Sequence, residues 1–245
     1  GIFEVPGNVS SQFITGLLLA LPLLKADSEI VVTSSLESKS YIDMTLSAMY
    51  RFGVTAIETE NGYKVYGNQS YKPQHLNIEG DWSQAAFFLA AGALGGNVSI
   101  ENLDTASYQG DKAIYQLLRQ FGADITINGQ VLSCKHNKLN GIEIDAENIP
   151  DLVPILAVVA ALAEGTTTIT GAARLRIKES DRLHAITEGL NKLGADITEL
   201  PDGLRINGVK SLNGGAVQGY NDHRIVMAFS VAAMNIGDCE IDDAQ

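Results

Sequence analysis

The sequence predicts an α/β protein built from repeated units, and two observations lead to that prediction. Three segments end a helix at a glycine and continue into an alternating strand. Their glycines, Gly53, Gly122 and Gly194, lie about 70 residues apart, a spacing that indicates internal repeats. Between these segments lie helices that are apolar around their whole circumference, which is typical of buried helices. Several copies of such a βαβαββ-type unit would place the apolar helices inside, surrounded by sheets.

The first half of each unit is predicted to be a buried helix followed by a short strand. The helices are expected at Phe13–Leu24, Ala85–Gly95, Leu152–Ala163 and Ile225–Met234. The strands are expected at Glu29–Thr33, Asn97–Ile100 and Thr166–Thr170, with a fourth beginning at Glu240. These helices are rich in Ala, Gly and Leu, and none has the polar face of a surface helix.

The second half of each unit is predicted to be another helix, ended by the glycine, and a β-hairpin. Asn-Gly and Asp-Gly pairs favour two-residue hairpin turns. Such turns are indicated at Glu60-Asn-Gly62, Asn128-Gly129 and Asp202-Gly203. The second strands of the three hairpins are expected at Tyr63–Tyr66, Gln130–Cys134 and Leu204–Ile206.

Composition and charge exclude several classes of function. The 245 residues carry a formal net charge of −12, and the pI is about 4.7. General binding to nucleic acid or to an anionic membrane relies on broad positive surfaces, so neither is expected. No segment reaches the roughly 18 uncharged apolar residues that a membrane span needs.

The two cysteines, Cys134 and Cys239, have the spacing of neither a metal site nor a disulfide framework. We therefore expect a reducing compartment, the cytoplasm. Cys134 falls in a predicted strand and is interpreted as an inert structural thiol. The chain has no initiator Met and stops within an expected strand, so it is interpreted as a fragment of a longer protein.

The segment Arg174–Arg182 contains four of the seventeen Lys and Arg residues of this acidic chain. The apolar spacing that follows predicts a helix, so the segment is expected at the helix start, where partial positive charge disfavours cations. Lys178 and Arg182 are expected on one helical face, where like charges repel. One interpretation is a solvated first turn relieved by Glu179 and Asp181. We favour an anion-binding site, because two local rules are broken at one place.

The four buried helices begin with polar residues, some of which exceed what helix capping requires. Ser and Asp are good N-caps, and a structural role is the interpretation we favour for Ser83 and Gln84. Helix N-termini also bind anions through their free N–H groups. A ligand role is favoured for Ser10, Ser11, Gln12, Asp151 and Arg224. For Ser38 and Tyr41, at the start of the second helix of the first unit, capping with packing and ligand binding are equally favoured.

These motifs together resemble the 5-enolpyruvylshikimate-3-phosphate synthase family over nearly the whole chain. The matching segments are Val9–Phe13, Ser38–Asp43, Glu79–Asp81, Gln109–Asp111, Ile149–Asp151, Arg176–Arg182 and Tyr220–Arg224. The Lys-Glu-Ser-Asp-Arg and Asn-Asp-His-Arg motifs are specific in combination, whereas any one of the motifs alone is weak evidence.

The resemblance implies a fold of two lobes, each an inside-out α/β barrel of three such units, with the active site in the cleft between them. Residues 1–78 would form the last unit of the first lobe, and residues 79–245 would form most of the second lobe, C-terminally truncated. The segment Glu79–Asp81 would lie near a crossover between the lobes. A monomer that needs no metal or organic cofactor is also implied.

The resemblance further implies transfer of the enolpyruvyl group of phosphoenolpyruvate to the 5-hydroxyl of shikimate 3-phosphate, with release of phosphate, in chorismate and aromatic amino acid biosynthesis. The residues implied to bind shikimate 3-phosphate are Ser10, Ser11, Gln12, Ser38, Tyr41, Asp151, Arg174 and Lys178. Those implied to bind phosphoenolpyruvate are Gln12, Arg182, His223 and Arg224. Asp151 would accept the proton of the attacking hydroxyl, and Lys178 and Glu179 would handle proton transfer at the methylene carbon. His223 suits a capping role as well as a phosphate contact.

Two departures from the family pattern bear on activity. Arg174 stands where many members have Asn, and Lys- and Arg-bearing segments of the family lie outside the chain, so the fragment alone is expected to be inactive. One alternative is the sister enzyme, UDP-N-acetylglucosamine enolpyruvyl transferase, whose cysteine-bearing loop has no counterpart here. Others are a noncatalytic phosphometabolite-binding lobe and a related domain acting on RNA ends, against which the net charge of −12 weighs.

Overall fold

A computed structural model describes residues 1–244 and divides them into two compact units. The first unit comprises Gly1–Ile78 together with Ala106–Gly110. The second comprises Glu79–Thr105 together with the residues from Asp111 onward. Gln245, the last residue of the predicted second lobe, lies outside the described residues.

The first unit has one four-stranded sheet and two α-helices. Its elements are β1 (Ile2–Val5), α1 (Ser11–Ala20), β2 (Ser28–Val32), α2 (Lys39–Arg51), β3 (Ala56–Thr59) and β4 (Gly62–Val65). The strand order is β1-β2-β4-β3, with β1 and β2 parallel and the other pairs antiparallel. Side chains of Val5, Ile14, Ile30 and Ile42 belong to the core of this unit.

The second unit repeats the same pattern. Its elements are α3 (Trp82–Ala93), β5 (Asn97–Ile100), α4 (Ala113–Phe121), β6 (Asp124–Asn128), β7 (Val131–Lys135), β8 (Glu143–Asp145), α5 (Val153–Ala161), β9 (Thr166–Thr170), α6 (Arg182–Lys192), β10 (Asp196–Leu200), β11 (Gly203–Asn207), β12 (Gly215–Gln218), α7 (His223–Ala233) and β13 (Cys239–Asp242). The strand orders are β5-β7-β6, β8-β9-β11-β10 and β12-β13. The order β8-β9-β11-β10 corresponds strand for strand to the sheet of the first unit, as expected for an internal repeat.

The predicted glycine turns are confirmed. Gly53, Gly122 and Gly194 stand at or directly after the ends of α2, α4 and α6, with φ of 79°, 116° and 89°. Glycine adopts positive φ without the steric cost that a Cβ would bring, so the chain can turn from helix to strand there. An antiparallel hairpin follows each of the three glycines.

Helices α3, α5 and α7 pack against one another, and α5 is buried at every position. The prediction of a buried helix is wrong for α1, because Phe13 and Leu19 are 57% and 43% exposed. α1 packs against α2, whereas α5 contacts the neighbouring helices α3, α6 and α7. A helix is buried all round only where neighbours cover every face, and α1 lacks such neighbours within its unit.

Candidate active site

The basic segment does not lie on a helix as predicted. Residues Ala173–Ile177 form a separate 3-10 turn, and α6 begins only at Arg182. Lys178 has an extended backbone between them, with φ of −84° and ψ of −155°. The prediction that Lys178 and Arg182 share a helical face is therefore wrong. The physical reason is Asp181, whose carboxylate accepts a hydrogen bond from the backbone N of His184 (3.1 Å) and thereby starts the helix late.

Arg182 is the centre of a buried ionic cluster in the second unit, and only 1% of its surface is exposed. Its Nε donates to Oδ2 of Asp222 (2.8 Å), and its Nη1 donates to Oδ1 of Asp151 (2.9 Å). Its Nη2 donates to Oε2 of Glu179 (2.7 Å) and to Oδ1 of Asp222 (3.1 Å). A guanidinium has five N–H donors, so one N–H on Nη1 remains for another acceptor.

Asp222 joins the beginnings of α6 and α7. It is completely buried, and besides Arg182 its carboxylate accepts hydrogen bonds from Ser180 Oγ (2.9 Å) and from the backbone N of Arg224 (3.0 Å). Burial by itself would raise the pKa of Asp222, but the hydrogen bonds and positive charge of Arg182 hold that pKa below its usual value. Asp222 therefore stays ionised and keeps Arg182 neutralised.

Asp151 lies between the two arginines of the cluster. It belongs to the 3-10 turn Pro150–Leu152 that leads into α5. One carboxylate oxygen contacts Nη1 of Arg182, and the other contacts Nη2 of Arg224 at 3.1 Å. Because each carboxylate oxygen has two lone pairs, these contacts leave Asp151 able to accept a further hydrogen bond.

Arg224 carries an unpaired nitrogen atom. Its residue surface is 9% exposed, and Nη2 faces Ser83 Oγ at 3.4 Å as well as Asp151. Nη1 is buried and has no hydrogen-bond partner within residues 1–244. Leaving a buried donor unsatisfied costs about 1–3 kcal/mol, and more for a charged group, so this atom indicates that an anion is bound at this point.

Ser83 has a larger part in the cluster than the sequence suggested. Capping of α3 is performed by Asp81, which accepts from the backbone N of Ser83 at 2.8 Å. The hydroxyl of Ser83 instead donates to Oδ2 of Asp111 and faces Arg224. Asp111 is 5% exposed, and its burial raises the pKa of its carboxyl to about 6.

Glu179 and Lys178 differ from the rest of the cluster in being exposed. The side chain of Glu179 is 52% exposed and uses Oε2 for Arg182. The ammonium of Lys178 has neither an ion pair nor a hydrogen bond in the described part of the chain. A carboxylate and a free ammonium at adjacent positions are groups that can exchange protons with a bound ligand.

The turn before α7 is strained. Tyr220 and Asn221 have φ of 56° and 51°, a left-handed conformation that Asn tolerates but that is an outlier for a bulky Tyr. The hydroxyl of Tyr220 donates to Glu188, on α6, and so fixes the turn to that helix. Strain of this kind is concentrated at functional sites, and this turn leads directly to Asp222 and Arg224.

In the first unit, the predicted residues lie at the starts of α1 and α2. Ser10 caps α1 by accepting from the backbone N of Gln12 at 3.2 Å, so capping accounts for it. Ser11 is 7% exposed, and Gln12 is exposed. Ser38 occupies the cap position of α2 with φ of 54°, yet its side chain makes no capping hydrogen bond. The strained backbone without a cap favours the ligand interpretation for Ser38, and the half-buried Tyr41 lies in the turn after it.

The remaining two predicted residues lie at the edges of the cluster. His223 is exposed at the first position of α7, whose cap is Asp222, so the capping interpretation of His223 is wrong. Arg174 is half-buried in the 3-10 turn that precedes Lys178. Neither residue contacts Arg182 or Arg224 through the hydrogen bonds and ion pairs described above.

Sequence reasoning gave no site role to Asp111, Ser83 or Asp222. Each stands within or beside a segment that carried the resemblance, but a lone Asp or Ser before a helix is usually a cap. The repeat offered a stronger indication, because Ser83-Gln84 in the second copy corresponds to Ser11-Gln12 in the first.

Two kinds of site were sought within residues 1–244 and not found. No group of three or more His, Cys, Asp or Glu side chains is arranged to hold a metal ion there. None of the helices in that range is both long enough and apolar enough to span a membrane.

Known proteins share both the sequence and the structure of this chain. The family described as EPSP synthase (3-phosphoshikimate 1-carboxyvinyltransferase) matches residues 1–245. A 3-phosphoshikimate 1-carboxyvinyltransferase of Clostridium perfringens strain SM101 is 54% identical over 237 residues, which cover 95% of this chain and 55% of the relative. One of Methanocaldococcus jannaschii is 48% identical over 235 residues, with the same two coverages of 95% and 55%.

A solved structure of EPSP synthase from Acinetobacter baumannii aligns with the whole chain at a TM-score of 0.83 and 28% identity, and 58% of that structure is covered. The chain thus spans about half the length of the curated relatives it matches. Because the family match extends over all 245 residues, the chain belongs to the EPSP synthase family.

Proposed function

We propose that the protein containing this chain transfers the enolpyruvyl group of phosphoenolpyruvate to the 5-hydroxyl of shikimate 3-phosphate and releases phosphate. Family membership supports this reaction class. The observation that carries the proposal is the buried Nη1 of Arg224, which has no partner within residues 1–244 and lies beside the carboxylate of Asp151. An anion-binding donor next to a potential base is what the addition of a hydroxyl to an anionic enol phosphate requires.

Phosphoenolpyruvate is proposed to bind at the arginine side of the cluster. Nη1 of Arg224 would receive its phosphate or carboxylate, because this guanidinium nitrogen is desolvated and unpaired. The remaining N–H of Arg182 would contribute a second donor, while its other donors keep Asp151 and Glu179 in place. His223 and Gln12, both exposed at helix starts, complete the proposed set.

Shikimate 3-phosphate is proposed to bind through hydroxyl groups and cations suited to a sugar-like phosphate. Hydroxyl and amide side chains at helix starts combine hydrogen bonds with the favourable end of the helix dipole. The proposed residues are Ser10, Ser11, Gln12, Ser38, Tyr41, Asp151, Arg174 and Lys178. The chemistry of this set favours a small phosphorylated ring with free hydroxyls.

Proton transfers are assigned to three side chains. Asp151 would take the proton of the attacking 5-hydroxyl with a free lone pair of its carboxylate. Lys178 and Glu179 would deliver a proton to the methylene carbon, which becomes a methyl group in the addition step, and would remove one again when phosphate leaves. The exposure of both side chains would allow their protons to be replenished from water.

The finer description of the whole protein follows from family membership and belongs to the same proposal. We propose two inside-out α/β barrels, with residues 1–78 in one lobe and residues 79–245 in the other, in a cytoplasmic monomer. The repeated strand order and the mutual packing of α3, α5 and α7 support a barrel built around buried helices. We also propose that residues 1–245 alone are inactive.

The first experiment is to measure phosphate release from phosphoenolpyruvate by the full-length protein. Shikimate 3-phosphate and UDP-N-acetylglucosamine would be supplied as acceptors in separate reactions. Release with shikimate 3-phosphate alone is the expected result. Release with UDP-N-acetylglucosamine alone would overturn the proposal in favour of the sister reaction, and release with neither acceptor would overturn an enzymatic role.

A second experiment separates an enzyme from a binding protein. Asp151→Asn keeps the size of the side chain but removes its basicity, so kcat should fall by about 10²–10⁴-fold. The affinity for shikimate 3-phosphate, measured by calorimetry, should change by less than about 10-fold. Asp196→Asn is the matched control, because Asp196 is exposed and only bonds Asn207 (2.9 Å). Unchanged turnover in Asp151→Asn would refute the base assignment.

A further inference from the structure

Asp111 is buried without an evident structural reason. It lies in the 3-10 turn Gly110–Lys112 before α4, where the residue at the cap position is Lys112 and no side chain caps the helix. Its carboxylate forms no ion pair within residues 1–244. Burying a carboxylate beside a hydroxyl alone is costly, so the position has to be explained by something other than stability.

The partner of Asp111 is the hydroxyl of Ser83, which has another neighbour. A serine hydroxyl has one hydrogen and two lone pairs. In the structure the hydrogen points to Oδ2 of Asp111, so Ser83 can face Nη2 of Arg224 only with a lone pair. Asp111 therefore determines that Ser83 accepts a hydrogen bond from Arg224 and does not compete with it as a donor.

Nη2 of Arg224 is consequently held from two sides. Asp151 Oδ2 lies at 3.1 Å and Ser83 Oγ at 3.4 Å from this nitrogen. A guanidinium is planar and rigid, so fixing Nη2 also fixes the direction in which Nη1 points. Nη1 is the nitrogen that remains buried and unpaired within residues 1–244.

We propose that Asp111 is a positioning residue that acts through Ser83 to hold Arg224 in the orientation that receives an anion. The proposal rests on the proposed function for the identity of that anion, phosphoenolpyruvate. Asp111 itself does not contact the substrate. Its contribution is to pre-order a charged donor that would otherwise rotate between several acceptors, and pre-ordering improves affinity more than the chemical step.

The negative charge of Asp111 gives the arrangement a dependence on pH. The charged groups around Asp111 are Asp151, Asp81 and Arg224, of which only Arg224 favours the ionised carboxylate. Burial raises the pKa of Asp111 to about 6, and an anion at Arg224 would favour the protonated form further. The hydrogen bond with Ser83 survives in either form, because a carboxyl group can accept or donate. Affinity for the anion should therefore fall as Asp111 ionises between about pH 6 and pH 8.

The test compares steady-state constants of the full-length protein and four variants. Ser83→Ala removes the link, so KM for phosphoenolpyruvate should rise about 10-fold, while kcat and KM for shikimate 3-phosphate change less than about 2-fold. Asp111→Ala should have the same effect, and the double variant should be no worse than either single variant. Asp111→Asn should rescue the affinity, because its carbonyl still accepts from Ser83. Additive effects, or parallel changes in kcat and both KM values, would overturn the proposal.

The pH arm uses Asp111→Asn as its own reference. Phosphoenolpyruvate changes ionisation in the same range, but it does so equally for both proteins. The wild type should lose affinity relative to Asp111→Asn as pH rises from 6 to about 8, and equal profiles would argue against a titrating Asp111. Ser99→Ala is the matched serine control, because Ser99 is exposed and bonds only Ser133 (2.6 Å).

Direct titration with phosphoenolpyruvate by calorimetry separates this proposal from the proposed reaction. If the wild type released no phosphate, the reaction would be refuted, but weaker binding by Ser83→Ala and Asp111→Ala would still support the positioning role. If the wild type turned over and these variants bound phosphoenolpyruvate as tightly as it does, the positioning role alone would be refuted.

Discussion

Arg182 and Asp222 form a two-point ion pair in which the arginine is 1% exposed and the aspartate is fully buried. The pair joins the first residue of α6 to the cap of α7. Both helices also carry residues assigned to the site, so the geometry of the cluster depends on this contact. Buried pairs are not strong sources of net stability, but they are costly to break from one side.

Replacing Asp222 with Ala should lower the free energy of unfolding by about 3–5 kcal/mol, because the buried charge of Arg182 loses its principal partner and α7 loses its cap. Urea unfolding followed by circular dichroism measures the change. Asp196→Ala removes an exposed aspartate and should change the free energy by less than about 0.5 kcal/mol. A loss below about 1 kcal/mol for Asp222→Ala would show that water or another carboxylate replaces the partner.

Asp111→Asn should stabilise the folded protein at high pH and not at low pH. Burial raises the pKa of Asp111 from 3.8 to about 6, so the folded state binds this proton more tightly than the unfolded state does. Below about pH 4 both states are protonated and the two proteins should be equally stable. As pH rises from about 4 to 6, the wild type loses up to about 3 kcal/mol relative to the variant, and the loss persists above pH 6.

The measurement is urea unfolding of both proteins across pH 4 to about 8. Other carboxylates titrate in the same range in both proteins, so the difference between the two curves isolates Asp111. A difference that is constant with pH would mean that the carboxyl titrates normally in the folded protein.

Lys178→Met should reduce turnover without affecting stability. Lys178 is exposed and has no ion pair or hydrogen bond within residues 1–244, so unfolding should change by less than about 0.5 kcal/mol. If its ammonium transfers a proton or neutralises the anionic substrates, kcat should fall by about 10²–10⁴-fold. Lys210→Met, at another exposed lysine, should leave phosphate release unchanged. Normal turnover in Lys178→Met would remove this residue from the proposed site.

Tyr220→Phe should weaken the turn before α7. The substitution deletes the hydroxyl that donates to Glu188 and keeps the ring, so about 1 kcal/mol of stability should be lost. Because the strained turn precedes Asp222, the loss should be accompanied by a rise in KM for phosphoenolpyruvate. Tyr108→Phe, at a tyrosine that is 58% exposed, provides the comparison. Unaltered stability and KM would mean that the backbone holds the turn without the tyrosine.

The repeated architecture could be predicted from the sequence because it is encoded locally. Gly122 and Gly194 fix where helices end, and the turns at Asn128-Gly129 and Asp202-Gly203 fix where hairpins reverse. β1, β8 and β12 were not located individually, because strands of three or four residues have too little alternating pattern to distinguish them from loops.

The candidate site was predicted less completely, because its contacts join residues far apart in sequence. Arg182 and Asp151 are 31 residues apart, and Arg224 and Ser83 are 141 apart. The pattern around Arg174–Arg182 correctly indicated an unusual concentration of charge. It could not indicate that Arg182 is saturated by carboxylates, or that an inconspicuous Asp111 lies behind Ser83. Those facts depend on how α3, α5, α6 and α7 pack.

The enclosure of Arg182 by carboxylates also affects how an anion reaches the protein. A positive charge cancelled within about 3 Å projects little field into water, and the chain as a whole, at −12, repels anions at long range. Diffusional encounter with an anionic ligand is therefore opposed by electrostatics. Salt screens such repulsion over about 8–10 Å, so moderate ionic strength should accelerate association instead of slowing it. This behaviour is the reverse of that expected for proteins that attract phosphate through basic surfaces.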